Sequence, residues 1–406
     1  MGRRVLVAQL GARMHYAVPR VLHAADRLGF LCTDICASRR LGWLLARIRT
    51  LMPLAHLERL ACREPVGVPP AAIKTFDFLG IRHFVKRHRA TTFDRRVGTW
   101  IWIGSRFASA VATQRDFLQQ SDAIYAFNGA ALELFMSPDA RCHFKVLEQT
   151  IAPFAVELKL LREIEERYPG WQLPVEQIAN ANRFKEREAG EWELADRIIC
   201  ASAFVRESIA ECGGPAHKCV VVPYGVKRGG NARPEPRDAK GMIRVLTVGQ
   251  VGLRKGAPVL HDVAKRLRGR AVFRVVGASV LSEQGNRMMA EAVNMTGVVP
   301  RNAMHEHYAW ADVFLLPSVC EGSATVTYEA LNAGLPVICT PNAGAPVQDG
   351  FNGFIVSNLD VSAMVERIEE LCDDQSRLEQ LSANARNSDY TSEDAYGERL
   401  IEALDR

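Results

Sequence analysis

Short runs of apolar residues alternate along the chain with segments whose apolar residues recur at helical spacing. Val5–Leu10 and Ala123–Phe127 are continuous apolar runs, which is the pattern of strands buried on both faces of a parallel sheet. Between them, Pro19–Leu28 has apolar side chains three and four residues apart, as on one face of a helix. The alternation predicts an α/β fold in which helices cover a parallel sheet.

The alternation stops at Lys227–Gly241 and restarts after it. This segment contains three glycines, two prolines and no large apolar residue, which is typical of a linker between domains. Further strands are predicted beyond the linker, at Ile243–Val248, Val272–Val276, Val313–Leu316 and Pro336–Cys339.

These patterns predict two Rossmann-like, doubly wound α/β domains that face a central cleft. The first domain comprises residues 1–226 and the second comprises residues 242–390, with the linker at residues 227–241 between them. A terminal helix at residues 391–406 is expected to cross back to the first domain. Ligands of such sheets bind outside the carboxyl ends of the strands, so we expect the functional residues to line the cleft.

The composition excludes several classes of protein. A chain of 406 residues with 48% hydrophobic and 24% charged residues is not collagen-like, disordered or coiled-coil. It also lacks the apolar run of about 18 residues that a transmembrane helix needs. The ten cysteines are dispersed without C-x-x-C spacing, which favours a reducing, cytoplasmic location over a zinc site or a disulfide framework.

Positive charge is concentrated in the first quarter of the chain. Residues 1–100 carry 18 Lys+Arg and 6 Asp+Glu, whereas the whole chain has a net charge of +5. Arg39–Met52 is basic and amphipathic, and Arg82–Arg89 adds further cations. This region either contacts an anionic membrane surface on the cytoplasmic side or packs internally with an ordinary basic exterior. No nucleic-acid-binding motif accompanies the charge, so we expect no nucleic-acid partner.

Two glutamates follow the predicted strand at Val313–Leu316. Glu321 begins the segment Glu-Gly-Ser-Ala-Thr-Val-Thr-Tyr-Glu, and Glu329 ends it about two helical turns later. The small residues between them suit a helix start whose free N–H groups bind an anion such as a diphosphate. Carboxylates this far apart suit two hydroxyl-bearing groups on either side of a phosphate, and they do not suit a catalytic acid pair.

A second loop of the same kind follows the strand at Ile243–Val248. It reads Gly249-Gln-Val-Gly-Leu-Arg-Lys-Gly256 and opens a predicted helix. Arg254 and Lys255 in this loop could neutralise a diphosphate. The spacing is not G-x-G-x-x-G, so a dinucleotide fingerprint is not indicated.

These motifs resemble the nucleotide-sugar site of family-four retaining glycosyltransferases, also called glycosyl transferases group 1, which have the GT-B fold. The resemblance rests on Asp312–Ser318, the Glu321-x7-Glu329 spacing, Ala333–Ile338 and Lys255-Gly256, and it covers the second domain. It implies that Glu329 holds the ribose hydroxyls and that Glu321 lies by the donor sugar. It also implies that the small residues between them lie along the diphosphate, namely Gly322, Ser323, Ala324 and Thr325.

The resemblance also implies roles for residues outside this segment, although some of them differ from the family's usual residue types. Glu321, Lys255 and Arg254 form the expected catalytic set, but Gln250 occupies the position of the family's arginine, so Arg254 or Gln250 takes over its role. Gly11 matches one glycine of the family's first-strand phosphate loop. Residues expected on the acceptor and sugar side are His15 and, in place of a family histidine, Glu148 or Gln149.

The resemblance therefore implies a retaining glycosyltransferase of the hexosyltransferase class. It would move a sugar from a nucleotide-diphosphate sugar to a hydroxyl of a glycan or a lipid-linked glycan, as in polysaccharide biosynthesis. No D-x-D motif is present, and we expect neither a metal nor another cofactor. The alternative is a non-catalytic glycosyltransferase-like protein that binds a nucleotide sugar or a partner enzyme, and the departure at Gln250 motivates it.

Overall fold

A computed structural model describes residues 2–38, 43, 63–174, 178–227 and 241–406. The first domain is built on a seven-stranded parallel sheet in the order β3-β2-β1-β4-β5-β6-β7. Its strands are β1 Val5–Gln9, β2 Leu28–Thr33, β3 Ile73–Thr75, β4 Ala123–Phe127, β5 Phe144–Gln149, β6 Arg197–Cys200 and β7 Cys219–Val221.

Helices cover both faces of this sheet. In the described ranges they are α1 Ala17–Ala24, α2 Asp77–Arg89, α3 Phe93–Ala112, α4 Arg115–Gln119, α5 Leu132–Phe135, α6 Phe154–Arg167, α7 Ala181–Leu194 and α8 Ala203–Glu211. The central strands β1 and β4 are buried along their whole length, which explains why they appear in the sequence as unbroken apolar runs.

The second domain has a six-stranded parallel sheet in the order β10-β9-β8-β11-β12-β13. Its strands are β8 Ile243–Val248, β9 Ala271–Val276, β10 Asn294–Gly297, β11 Val313–Leu316, β12 Val337–Cys339 and β13 Gly353–Ile355. The helices that follow are α9 Ala257–Arg266, α10 Glu283–Ala290, α11 Met304–Trp310, α12 Thr325–Asn332, α13 Val361–Asp373, α14 Gln375–Arg386 and α15 Glu393–Asp405. The predicted α/β class with two doubly wound domains is confirmed.

Two segments of the chain cross between the domains. Helix α6 follows β5 of the first domain, yet Leu161 and Ile164 pack in the core of the second domain. Helix α15 follows the second domain, yet it packs on the first, where Tyr396 and Leu400 join the core beside α1. The bridge between Val226 and Ser392 places the outgoing and returning segments side by side.

Several local predictions differ from the structure. The helix predicted at Pro19–Leu28 ends at Ala24, because Asp26 adopts a left-handed conformation and the chain turns into β2 at Leu28. Strands β3, β10 and β13 are the outermost strands of their sheets and are only three or four residues long, so their pattern gives a weak signal.

Two sequence expectations concern residues that the structure does not describe. The predicted linker falls almost wholly on residues 228–240, outside the described residues. The basic amphipathic segment Arg39–Met52 also lies outside them, except for Trp43. None of the helices within the described ranges has the length and apolar character that a membrane crossing requires.

Candidate active site

The loop after β8 is folded tightly against the end of β11. Gly256 has φ 69°, and a Cβ atom there would lie 2.0 Å from the carbonyl oxygen of Pro317, so only glycine fits this close approach. The Val319 N–H donates to the carbonyl oxygen of Arg254 at 2.8 Å. The two loops that carry the predicted cations and the predicted carboxylate are therefore pinned together by backbone contacts.

This packing brings three predicted site residues into one ion cluster. One carboxylate oxygen of Glu321, Oε1, lies 2.8 Å from Nη1 of Arg254 and 2.8 Å from Nζ of Lys255. Arg254 Nη1 also donates to the carbonyl oxygen of Cys320 at 3.1 Å. The cluster is mostly enclosed, since the side chains of Lys255 and Glu321 are each 12% exposed.

The cluster fixes the protonation state of Glu321. Burial alone would raise the pKa of this carboxyl, but the charges of Lys255 and Arg254 and their hydrogen bonds outweigh burial and lower it. Glu321 is therefore a carboxylate at neutral pH, and its negative charge holds both cations at the carboxyl end of β11.

Helix α12 begins beside this cluster without a side-chain cap. Its N-cap residue is Ala324, whose side chain accepts no hydrogen bond, so first-turn N–H groups lack a side-chain partner. The Ala324 N–H itself donates to the carbonyl oxygen of Ala343, so it does not point to a ligand. Ser323 Oγ donates to the carbonyl oxygen of Gly344 at 2.8 Å and lies 2.7 Å from the Tyr328 hydroxyl, which turns this side chain inward.

Glu329 lies further along α12 in separate surroundings. Its Oε2 accepts a hydrogen bond from the Tyr308 hydroxyl at 2.8 Å, and Nη2 of Arg301 lies 4.0 Å from its Oε1. Arg301 also contacts the imidazole of His15 from the first domain. Sequence reasoning missed Arg301 and Tyr308. Both residues follow strand β10, and this strand is hard to recognise in the sequence because it is polar.

On the first-domain side, the loop after β1 contains an unusual turn. Met14, His15 and Tyr16 all have positive φ angles, between 46° and 60°, although none is glycine. Partial burial, followed by the nearby guanidinium groups of Arg301 and Arg20, lowers the pKa of His15. His15 is therefore neutral at pH 7 and can accept a hydrogen bond from Arg301.

Gly11 opens this loop with a φ of 71°, and its N–H donates to Asp34 Oδ1 at 3.0 Å. Arg13 extends from the loop toward the cleft, and its Nη1 donates to Thr150 Oγ1 at 2.9 Å. A Cβ atom at Gly322 would lie 1.8 Å from the carbonyl oxygen of Thr150. The carboxyl ends of the two sheets thus meet where the loop after β5 touches the loop after β11.

Glu148 lies at the end of β5 and points beneath the cleft. It is buried, and it accepts hydrogen bonds from the hydroxyls of Tyr125 at 2.6 Å and Tyr224 at 2.8 Å. Burial raises its pKa, and the two hydroxyl donors oppose that effect. Both carboxylate oxygens are therefore satisfied inside the first domain.

Gln149 points to the opposite face of the sheet, as the two-residue period of a strand requires. Its Nε2 donates to Glu188 Oε1 at 3.1 Å, and its Oε1 accepts from Trp192 Nε1 at 2.9 Å. Since both candidates for the position of the family histidine are held by internal hydrogen bonds, a role on the acceptor side would require rearrangement of these contacts.

Helix α7, which carries Glu188 and Trp192, also supplies a carboxylate to the loop after β4. Glu191 is buried and accepts from the N–H groups of Gly129 at 2.6 Å, Ala131 at 2.9 Å and Leu132 at 3.2 Å. Burial raises its pKa to about 7, while the nearby Arg187 and the N–H donors lower it. A backbone pocket for an anion in the first domain is thus filled by the chain itself.

The structure brings together Glu321, Lys255 and Arg254, and it places Glu329 apart with Arg301 and His15. Gln250, in contrast, lies exposed on the loop after β8. The catalytic and binding roles of all these residues stay predictions. The geometry supports a place for a polyanion, with two cations, an uncapped helix start and two carboxylates around it.

Parts of the chain are similar to proteins of known activity. The model of the family "Glycosyl transferases group 1" matches residues 231–388. A GDP-mannose-dependent alpha-(1-6)-phosphatidylinositol monomannoside mannosyltransferase of Mycolicibacterium smegmatis is 29% identical over 220 residues, 48% of this chain and 57% of that protein. Sulfoquinovosyl transferase SQD2 of Arabidopsis thaliana is 29% identical over 149 residues, 35% of this chain and 29% of that protein. The chain spans little more than half the length of the first of these relatives.

Solved structures extend the comparison to both domains. Anabaena HepE in complex with UDP and glucose covers 100% of both chains with a TM-score of 0.62 and 15% sequence identity. Sucrose-phosphate synthase from Thermosynechococcus elongatus covers 98% of both chains with a TM-score of 0.63 and 16% identity. At these identities the likeness establishes the fold alone. The second domain is thus similar to the glycosyl transferases group 1 family over residues 231–388, and the two domains together have the GT-B fold.

Proposed function

We propose that this protein transfers a sugar from a nucleotide-diphosphate sugar to an acceptor hydroxyl with retention of configuration and without a metal. The observation that carries the proposal is the ion cluster, in which Glu321 holds Arg254 and Lys255 at the carboxyl end of β11. The match of residues 231–388 to the family model and the activity named for the Mycolicibacterium relative support the same reaction.

The donor would lie along the start of α12. Arg254 and Lys255 would neutralise the diphosphate as it leaves, which is the work that a metal ion does in other transferases. Glu329 would accept hydrogen bonds from the ribose hydroxyls after exchanging its contact with Tyr308. A cluster that is already assembled costs little reorganisation when charge develops on the departing phosphate.

Retention follows best from attack on the same face that the phosphate leaves. Glu321 is a poor nucleophile and a weak base, because two cations hold it and its pKa lies below the ordinary value. The departing phosphate oxygen would then take the acceptor's proton, and no protein nucleophile is required.

The acceptor would enter from the first domain, beside Arg13 and His15. The Mycolicibacterium relative is named for an acceptor that is a phosphatidylinositol mannoside, which supports a glycan or lipid-linked glycan as the acceptor here. We further propose a cytoplasmic enzyme that works at the membrane surface, and the dispersed free cysteines support the compartment.

A second candidate is a non-catalytic protein that binds a nucleotide sugar or a partner enzyme. Two observations favour it: Gln250 is exposed at the position of the family's arginine, and Glu148 is satisfied internally. The two candidates differ in one measurable property, because only an enzyme turns over its donor.

The test is a panel of UDP-, GDP- and ADP-sugars with purified protein, with and without EDTA. Released nucleotide and the thermal shift are followed together. We expect one donor to stabilise the protein and to be hydrolysed slowly at a rate that EDTA does not change. Glu321→Ala and Lys255→Ala should remove hydrolysis, whereas Glu366→Gln, an exposed change on α13, should not. Donor binding without turnover would favour the second candidate, and wild-type turnover in both site variants would refute the proposed site.

A further inference from the structure

Helices α2 and α3 form a hairpin that exposes large apolar side chains. Phe78 is 73% exposed, and Ile81, Val85 and Trp100 are each about 40% exposed. Ile81 and Val85 line a groove of about 560 Å³ between the two helices, with Gly98 on the facing helix. Apolar side chains grouped in this way on a folded surface mark an interaction site.

The same groove is strongly cationic. Arg82, Lys86 and Arg89 line it from α2, and Arg95 lines it from α3. In the part of the chain that the structure describes, none of these four side chains forms a salt bridge with an acid. Arg82 and Lys86 instead lie over the ring of Trp102, at 5.5 and 5.0 Å from its centroid, which keeps their charges at the surface.

The hairpin lies beside the cleft. Helix α2 begins two residues after β3 ends, at the carboxyl edge of the first sheet. Near the other end of the hairpin, Phe93 stacks on Phe154 with ring centroids 6.3 Å apart, and Phe154 begins α6 just after the cleft loop at Thr150. A ligand on the hairpin would therefore lie next to the proposed acceptor side.

We propose that the α2–α3 hairpin docks on a bilayer that contains anionic phospholipids, with a phosphate headgroup in the cationic groove and Phe78 among the acyl chains. Charge complementarity selects anionic over zwitterionic lipid, and the exposed Phe78 and Ile81 select a bilayer over a soluble polyanion. The purpose of the contact, delivery of a lipid-linked acceptor to the cleft, rests on the proposed function, but the contact itself does not.

The test is flotation of the full chain with vesicles of phosphatidylcholine alone and with about 30% phosphatidylglycerol. We expect binding to the anionic vesicles only, with affinity that falls as salt is added because the charges lie at the surface. The double variant Arg82→Glu/Lys86→Glu should weaken binding at least about tenfold, since each cation near the surface contributes about a factor of five. Phe78→Ser should also weaken it, although it changes no charge.

Lys265→Glu provides the matched control, because Lys265 is an exposed cation on α9 of the second domain. Its binding should equal that of the wild type, and the thermal shift with the donor should be the same in every variant. Equal binding to neutral vesicles, equal loss in Lys265→Glu, or competition by heparin with no effect of Phe78→Ser would each overturn the proposal. Vesicle binding without donor turnover would refute the proposed function and leave the docking surface standing.

Discussion

Each domain has a loop at the carboxyl edge of its sheet where backbone N–H groups could bind an anion, and the two loops differ in what fills them. After β4 in the first domain, the carboxylate of Glu191 accepts three N–H groups. After β11 in the second domain, α12 starts with no side-chain cap, next to Arg254 and Lys255. The same architecture is therefore closed to an anion in one domain and available to one in the other.

The difference between the two anion sites indicates which domain binds the donor. Both domains have a parallel sheet. In the first domain the Glu191 carboxylate already occupies the anion site, whereas in the second domain Arg254 and Lys255 lie beside a helix start that an external anion could bind. The donor diphosphate is thus expected to bind the second domain, which leaves the first domain for the acceptor.

The largest expected effect comes from removing a cation at the anion site of the second domain. Lys255→Ala should lower kcat for donor turnover by roughly 10²–10³-fold, because one of two charges that stabilise the departing diphosphate is lost. Steady-state kinetics with the donor found in the panel measures this effect, and Lys265→Ala on the same domain is the control. A loss of less than about threefold would mean that the cluster does not act on the diphosphate.

The next largest effect comes from removing the carboxylate that occupies the anion site of the first domain. Glu191→Gln should destabilise the first domain by on the order of 3 kcal/mol at pH 8, because three N–H groups and Arg187 lose a buried negative partner. Denaturant unfolding measures it, with the exposed neighbour Glu193→Gln as the control. Donor affinity should not change. If the donor affinity fell with the stability, the two loops would not be independent.

A second buried carboxyl of the first domain, Glu188, should make the stability depend on pH. Burial raises the pKa of Glu188 to about 8, against hydrogen bonds from the Phe154 N–H and Gln149 that oppose it. The folded chain then binds the proton more tightly than the unfolded chain, so this stabilising contribution is complete below about pH 4.5 and is lost as the pH rises through about 8. Relative to Glu188→Gln, the wild type should lose about 2 kcal/mol between pH 6 and pH 8.5. Parallel curves for the two proteins would show that Glu188 does not titrate in this range.

The smallest effect concerns the contact between the domains. In a double-mutant cycle of Arg301→Ala and His15→Ala, we expect a small but measurable coupling energy of about 0.5 kcal/mol in donor binding, because Arg301 is largely exposed and its contacts are screened. Isothermal titration at pH 7 measures the four affinities. Strict additivity would mean that the contact between Arg301 and His15 does not contribute to donor binding.

The second domain's strands and site loops could be predicted because their signals are continuous in the sequence. Strands β8 and β11 are buried on both faces, and Lys255 and Glu321 lie in the loops that follow them. Because the carboxyl ends of parallel strands lie at one edge of a sheet, both residues could be placed at that edge, and the structure adds that β8 and β11 are neighbours.

The first-domain side could not be predicted in the same way, because orientation and distant partners decide it. Glu148 and Gln149 are neighbours in sequence but point to opposite faces of β5. Their hydrogen-bond partners Tyr224 and Trp192 lie 76 and 43 residues away in the chain. The left-handed turn at Met14–Tyr16 gives no sequence signal either, since no glycine marks it.

The return of α15 to the first domain has a consequence for biosynthesis. Tyr396, Leu400 and Leu404 complete the core around β1 and α1, although they follow the whole second domain in the chain. A ribosome therefore releases the second domain's complete sheet before the first domain can close its own core. We expect the first domain to remain a partly open intermediate during synthesis and the second domain to be the first to become protected from proteases.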